Sequence, residues 1–147
     1  MKSLEELLID EKEYFENLVK KATKLFRIGR ETGEPIYTVN LSKLTLSERI
    51  ITVLLARFLA YKLSSKILNP INSEDLSPEE ISAKLGVDRK QISARLTELK
   101  RKGYVELTSR GRYKISPINV AVVLDNVLKK FEVSPTLTSD LENVEDG

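Results

Sequence analysis

A chain of 147 residues, 41% apolar and 31% charged, has the composition of a globular protein and is long enough to bury a core. It holds no cysteine and no histidine, which excludes disulfides, thiol nucleophiles, Cys/His zinc sites and any imidazole base, so neither a metal nor a cofactor is expected. The net charge of +2 is unevenly spread: residues 77–117 carry ten Lys/Arg against five Asp/Glu, whereas residues 132–147 carry five acids and no base, as a localised polyanion site and an acidic disordered tail would.

No stretch of uncharged apolar residues is long enough to span a bilayer, and no basic-then-apolar leader opens the chain, so a cytoplasmic protein is expected. Abundant Lys and Glu with a single Met also fit a heat-adapted intracellular protein.

In chain order, capping-box spacing marks Ser3 with Glu6, Thr45 with Glu48, Ser77 with Glu80 and Asp88 with Gln91, and Pro78 and Pro117 occupy first-turn positions. These signals predict helices over 4–28, 46–68, 78–85, 89–102 and 117–131, with a short alternating strand over 35–41. Leu4, Leu8, Phe15, Leu18, Ala22 and Leu25 recur near heptad spacing in the first helix, broken by Glu11. Gly29 and Gly33 lack the Gly-Lys-Ser/Thr ending of a phosphate loop and read as a turn.

The helix over 46–68 is apolar around too much of its circumference for one amphipathic stripe and is expected to be central and buried. The next helix stops at Gly86, a residue suited to the left-handed conformation that ends helices. Gly86-Val87 then leads within one turn to Asp88, so the helices at 78–85 and 89–102 must cross steeply. On the second of them Ile92, Leu96 and Leu99 form the anchoring face. At roughly 100° per residue, Lys90, Ala94, Thr97 and Arg101 lie opposite, flanked by Arg89, Gln91 and Ser93. Gly103 ends the helix, and residues 104–107 and 112–115 alternate about Ser109-Arg110-Gly111 as a hairpin with Arg110 and Arg112 at its tip. Tyr104 and Tyr113 are expected to pack rather than stack on bases. Glu98 and Glu106 have no accompanying cleft chemistry, and no enzymatic activity is expected.

Three helices followed by a two-stranded hairpin, with "GVDRKQISARLTELKRKGYVE" leading into "RGRYKIS", resemble winged helix-turn-helix transcriptional regulators of the MarR and ArsR kind, in an archaeal style. The resemblance covers residues 45–116. It implies a mainly α fold with a small β wing, and double-stranded DNA as partner. Arg89, Lys90, Gln91, Ser93, Ala94 and Arg95 would then enter the major groove, and Arg110 and Arg112 would lie on the wing beside the backbone. The ArsR metal ligands have no counterpart here. A long Gln91, a small Ala94 and the cations Arg89 and Lys90 suit base edges, groove floor and phosphates respectively. A protein-docking winged helix without DNA binding, or an RNA-binding one, remains open as an alternative.

The chain thus divides into an N-terminal helix and connecting strand (1–44), a DNA-binding domain (45–116), an apolar C-terminal helix (117–131) and an acidic tail (132–147). The last helix is apolar nearly all round. Its second face is expected to meet the N-terminal helix, a second subunit in a homodimer, or both.

Overall fold

One helix with no solvent face organises the molecule. In the computed structural model, which describes residues 2–108 and 110–132, helix α3 (Leu46–Lys62) buries Ile50 through Ala56 and Phe58 through Ala60, so its apolar surface is covered on every side. Its start is fixed by a reciprocal capping box: Glu48 N–H donates to the Thr45 hydroxyl (3.2 Å) and Thr45 N–H donates to the Glu48 carboxylate (2.9 Å). The buried Thr52 hydroxyl donates to the Glu48 carbonyl at 2.8 Å, so its polarity is satisfied within the helix. The helix ends at Lys62, short of the expected residue 68, and a 3-10 turn follows at Ser64–Lys66.

The expected single helix over 4–28 is three elements. Helix α1 (Lys2–Glu5) is one turn long and includes Ser3, which lies inside it rather than at the N-cap position expected. Helix α2 (Glu11–Ala22) begins instead at Asp10, whose carboxylate accepts from the amides of Lys12 and Glu13 (3.1 and 3.2 Å). Beyond α2 the chain turns into strand β1 (Phe26–Ile28), which pairs antiparallel with β2 (Pro35–Tyr37) in the register Phe26↔Tyr37 and Ile28↔Pro35. The expected strand over 35–41 is thus shorter than its alternation, and its partner is a segment with helical spacing. Pairing and burial of Leu25 and Phe26 outweigh the intrinsic preference of residues 23–28. Gly33 closes the turn between the strands at φ 76°, a conformation that favours glycine, and a Cβ there would lie 2.7 Å from the tip of the Ile71 side chain, which would have to shift.

Helix α4 (Pro78–Leu85) and helix α5 (Arg89–Arg101) follow, then strands β3 (Val105–Leu107) and β4 (Tyr113–Ile115) in a second antiparallel hairpin, and finally helix α6 (Ala121–Lys129). The architecture is mainly helical with two small hairpins, and α4, α5, β4, β1 and β2 all contact α3. No helix among the described residues is long and apolar enough to cross a membrane.

The helix expected from Pro117 starts only at Ala121, because residues 117–119 form a turn closed by Asn119 N–H to the Ser116 carbonyl. Asn119 also donates from its side chain to the Gly103 carbonyl at 2.9 Å, tying the start of α6 to the end of α5. Helix α6 is sided rather than uniformly apolar: Val120, Leu124, Val127 and Leu128 are buried, while Val122 is 66% exposed. Within one chain its neighbour is α2, through Lys21–Asp125 (2.8 Å) and the Tyr14 hydroxyl, which lies 3.0 and 2.9 Å from the Pro117 and Ile118 carbonyls. Lys130, just past α6, pairs with Glu48 at the head of α3. Most of the acidic tail, residues 133–147, lies outside the described residues.

The sidedness of α6 can be measured. Leu124→Ala should lower unfolding stability by about 2–5 kcal/mol through the cavity it leaves, whereas Val122→Ala should change it by less than about 0.5 kcal/mol. Urea unfolding of both variants checks this, and equal losses would contradict the described packing.

Candidate nucleic-acid interface

The α4–α5 pair is built by local signals. Ser77 and Glu80 form a second capping box (3.1 and 3.0 Å) with Pro78 in the first turn. Gly86 stops α4 in the left-handed region (φ 66°, ψ 33°), and the Ser82 hydroxyl donates to the Val87 carbonyl, which holds the turn closed. Asp88 then caps α5 by accepting from the Lys90 amide at 3.1 Å. The reciprocal bond of a capping box, with Gln91 reaching back, is not among those that form, and the Gln91 side chain stays exposed.

Ile92, Leu96 and Leu99 are buried and hold α5 against α3. Lys90, Ala94, Thr97 and Arg101 lie opposite and are exposed, flanked by Arg89, Gln91 and Arg95, exposed as well, and by half-buried Ser93, whose carbonyl accepts from the Thr97 hydroxyl at 3.0 Å. Eight of the ten residues singled out from the sequence therefore share one helix. Two of its cations have intramolecular partners: Arg89 reaches Glu79 of α4 at 2.8 Å, and Arg95 reaches Glu98 at 3.4 Å. Both pairs are well exposed, so each contributes little and is readily exchanged for a stronger anion. The charge run ends in Lys100 and Lys102, also exposed; they extend the basic surface beyond the residues chosen from the sequence, where the triplet Lys-Arg-Lys was their signal.

The hairpin forms over the segments expected from the sequence, but one of its two arginines is directed elsewhere. Val105 and Ile115 pair and are buried, and Tyr104 and Tyr113 pack against the core as half-buried side chains. Leu76, just before α4, bonds reciprocally to Tyr113 (2.8 Å each way), so β4 is flanked on its second side by a one-residue bridge. Gly111 takes φ 71° in the turn, where Arg110 is exposed. Arg112, expected at the free tip, instead turns inward. Its guanidinium donates to the Asp75 carboxylate at 2.8 Å and to the Asp75 carbonyl at 3.2 Å, and pairs with Glu80 at 2.7 Å, which leaves the side chain only 29% exposed. Two carboxylates converge on this guanidinium, and neither lies near it in sequence. Lys114 completes the seam at 3.6 Å from Glu74. Asp75, which the sequence did not signal, and Glu80, which it signalled only as a cap, lock the hairpin to the head of α4.

Partial burial pushes the Asp75 carboxyl upward, but the hydrogen bond and charge of Arg112 outweigh it and hold the group below its ordinary value. Glu80 behaves alike: burial raises it, while the Ser77 amide and Arg112 bring it below the usual range. The hydrogen bond that Arg112 donates to Asp75, with Glu80 beside it, raises Arg112 in turn.

Arg112→Ala should therefore lower stability by about 1–2 kcal/mol near neutral pH by leaving Asp75 without its charged donor. Because both carboxyls ionise more readily in the folded than in the unfolded chain, their contribution is complete above the ordinary carboxylate range and is lost as pH falls through their depressed values. Urea unfolding of wild type and variant at about pH 7 and about pH 3 checks this, with the gap between them narrower in acid; an undiminished gap would assign the loss to packing alone. No protein-family model, no curated protein and no solved structure matches this chain, so the geometry of its own side chains carries the assignment of function.

Proposed function

We propose that the chain is a sequence-specific double-stranded DNA-binding protein, a winged helix-turn-helix transcriptional regulator of the MarR and ArsR kind that acts as a homodimer. In this reading α5 enters the major groove and the β3–β4 hairpin is the wing beside the phosphate backbone. The observation that carries it is the outer face of α5, where Lys90, Gln91, Ala94, Thr97 and Arg101 form one exposed stripe on a helix anchored by Ile92, Leu96 and Leu99. A groove roughly 12 Å wide admits a helix whose reading side combines long donors, a small residue and cations. The order of α3, α4, α5 and the hairpin, with the tight turn at Gly86, supports the same reading. Arg110 on the hairpin and Lys90 on α5 are among the cations suited to phosphates, since neither forms an ion pair among the described residues and both are exposed. Arg112 acts in this reading as the brace that aims the wing rather than as a phosphate contact.

A binding titration against duplex DNA of random and genomic sequence at several salt concentrations tests the reading. Salt-sensitive binding with sequence preference is expected. Preference for single strands or RNA would favour an RNA-binding module, and no nucleic-acid binding would favour a protein-docking one. Gln91→Ala should relax preference at one or two base pairs, costing about 1–3 kcal/mol on the preferred site, while Lys90→Ala should weaken all sequences alike. Arg110→Ala should flatten the slope of log affinity against log salt by about 0.9 without altering preference. An unchanged slope would take the wing off the DNA.

A further inference from the structure

We propose that residues 2–9 form an arm that inserts into an apolar cleft of a second copy of the chain, the exchange being mutual about a two-fold axis. This rests on the homodimer of the proposed function and specifies the surface that makes it; it is independent of DNA.

The arm is apolar, and its own chain leaves it largely uncovered. Leu7 and Leu8 are each 79% exposed, Leu4 and Ile9 are exposed as well, and none of the four belongs to the buried core. A one-turn helix such as α1 has no stability of its own in water, so its ordering depends on what its leucines meet.

A cleft of about 450 Å³ opens beside the arm's base, where α2, α3 and the turn at 117–119 come together. Tyr14, Phe15, Leu18, Phe58, Pro117 and Ile118 line it, and Ile118 is 80% exposed at its edge. Phe15 also borders a second apolar cleft, of about 350 Å³, between β1 and the end of α3. Lys62 lies on the rim of both, its ammonium 5.4 Å from the Phe58 ring centre and in no ion pair among the described residues. The arm carries Glu5 and Glu6 beside its leucines. Aliphatic side chains with adjacent carboxylates thus complement in kind an apolar hollow with a cation at its rim.

The occupant is a second copy rather than the arm's own chain because Ile9 and Glu11 already stand at the mouth of the cleft. The bonds Leu7 N–H to Leu4 O and Leu8 N–H to Glu5 O close residues 4–8 into turns that leave Leu7 and Leu8 bare, so neither leucine fills the cleft of its own chain. Insert and receptor sit on one patch, so a two-fold pairing buries both at once, which is the requirement for an isologous interface.

The absence of native cysteine makes the test clean. One preparation carrying Leu8→Cys and another carrying Ile118→Cys are mixed and mildly oxidised. A mixed disulfide dimer identified by mass spectrometry is expected. A chain carrying both substitutions that closes an internal disulfide while remaining a monomer would overturn the proposal, because the arm would then lie in its own cleft. Light scattering at micromolar concentration supplies the second measurement. Leu7→Asp with Leu8→Asp, both exposed in the subunit, should raise the dimer dissociation constant at least about tenfold with the thermal unfolding of the subunit unchanged. Lys62→Glu should also weaken the dimer, and Glu5→Lys with Glu6→Lys on that background should restore it. A double-aspartate variant that dimerises as tightly as wild type would overturn the arm exchange and leave the homodimer standing. A wild-type chain that runs as a monomer throughout would overturn both.

Discussion

The structure depends on the absence of a polar stripe on α3. A helix whose residues from Ile50 to Ala60 are buried, all but the half-buried Arg57, is stable in water only if other elements close around it. Helices α4 and α5 with β4 take part of that surface, and the β1–β2 hairpin takes more. Phe15 of α2 meets Phe58 edge-on with ring centres 6.4 Å apart, and Lys130 after α6 reaches Glu48. The orientation of α5 is a by-product of this closure. Once Ile92, Leu96 and Leu99 are committed to α3, the side chains between them must face outward, and those side chains are the basic and small residues of the candidate interface.

Charge is partitioned by the same geometry. Arg112 and Lys114 point back along the hairpin toward Asp75, Glu80 and Glu74 and serve as structural cations. Arg89 and Arg95 have carboxylate neighbours in exposed pairs that water and salt weaken. Lys90, Lys100, Arg101, Lys102 and Arg110 form no ion pair among the described residues. The net excess of cations over residues 77–117 therefore overstates the field available to a polyanion at the hairpin and understates how strongly it concentrates on α5. In the proposed function this separates reading from bracing: the helix meets the bases and phosphates, and the Arg112 seam holds the hairpin at a fixed angle beside it.

The elements legible in the sequence are those whose cause lies within about one helical turn. Thr45 with Glu48, Ser77 with Glu80, Pro78 and Gly86 each act on backbone groups no more than four residues away, so the starts of α3 and α4 and the end of α4 could be read before any packing was known. The anchoring and outward faces of α5 follow from 3.6-residue periodicity in the same way. Residues 4–28 show the converse. Their apolar spacing is consistent with one long helix, yet Asp10 offers a better cap than Ser3, and residues 26–28 find a strand partner seven to eleven positions later.

By itself, then, the sequence determined the central helix, the short helix and tight turn before α5, the side of α5 that faces out, and the glycine turns of both hairpins, because each is a local preference of backbone or periodicity. Only the tertiary structure decided that Arg112 braces rather than projects, that Leu76 adds a bridge to β4, that α6 hides one face against α2, and that the N-terminal leucines are left in the open. Each of these depends on which distant groups come within bonding distance when the chain closes around α3. The partners lie 32 to 104 positions apart along the chain, a separation over which neither capping nor periodicity carries information.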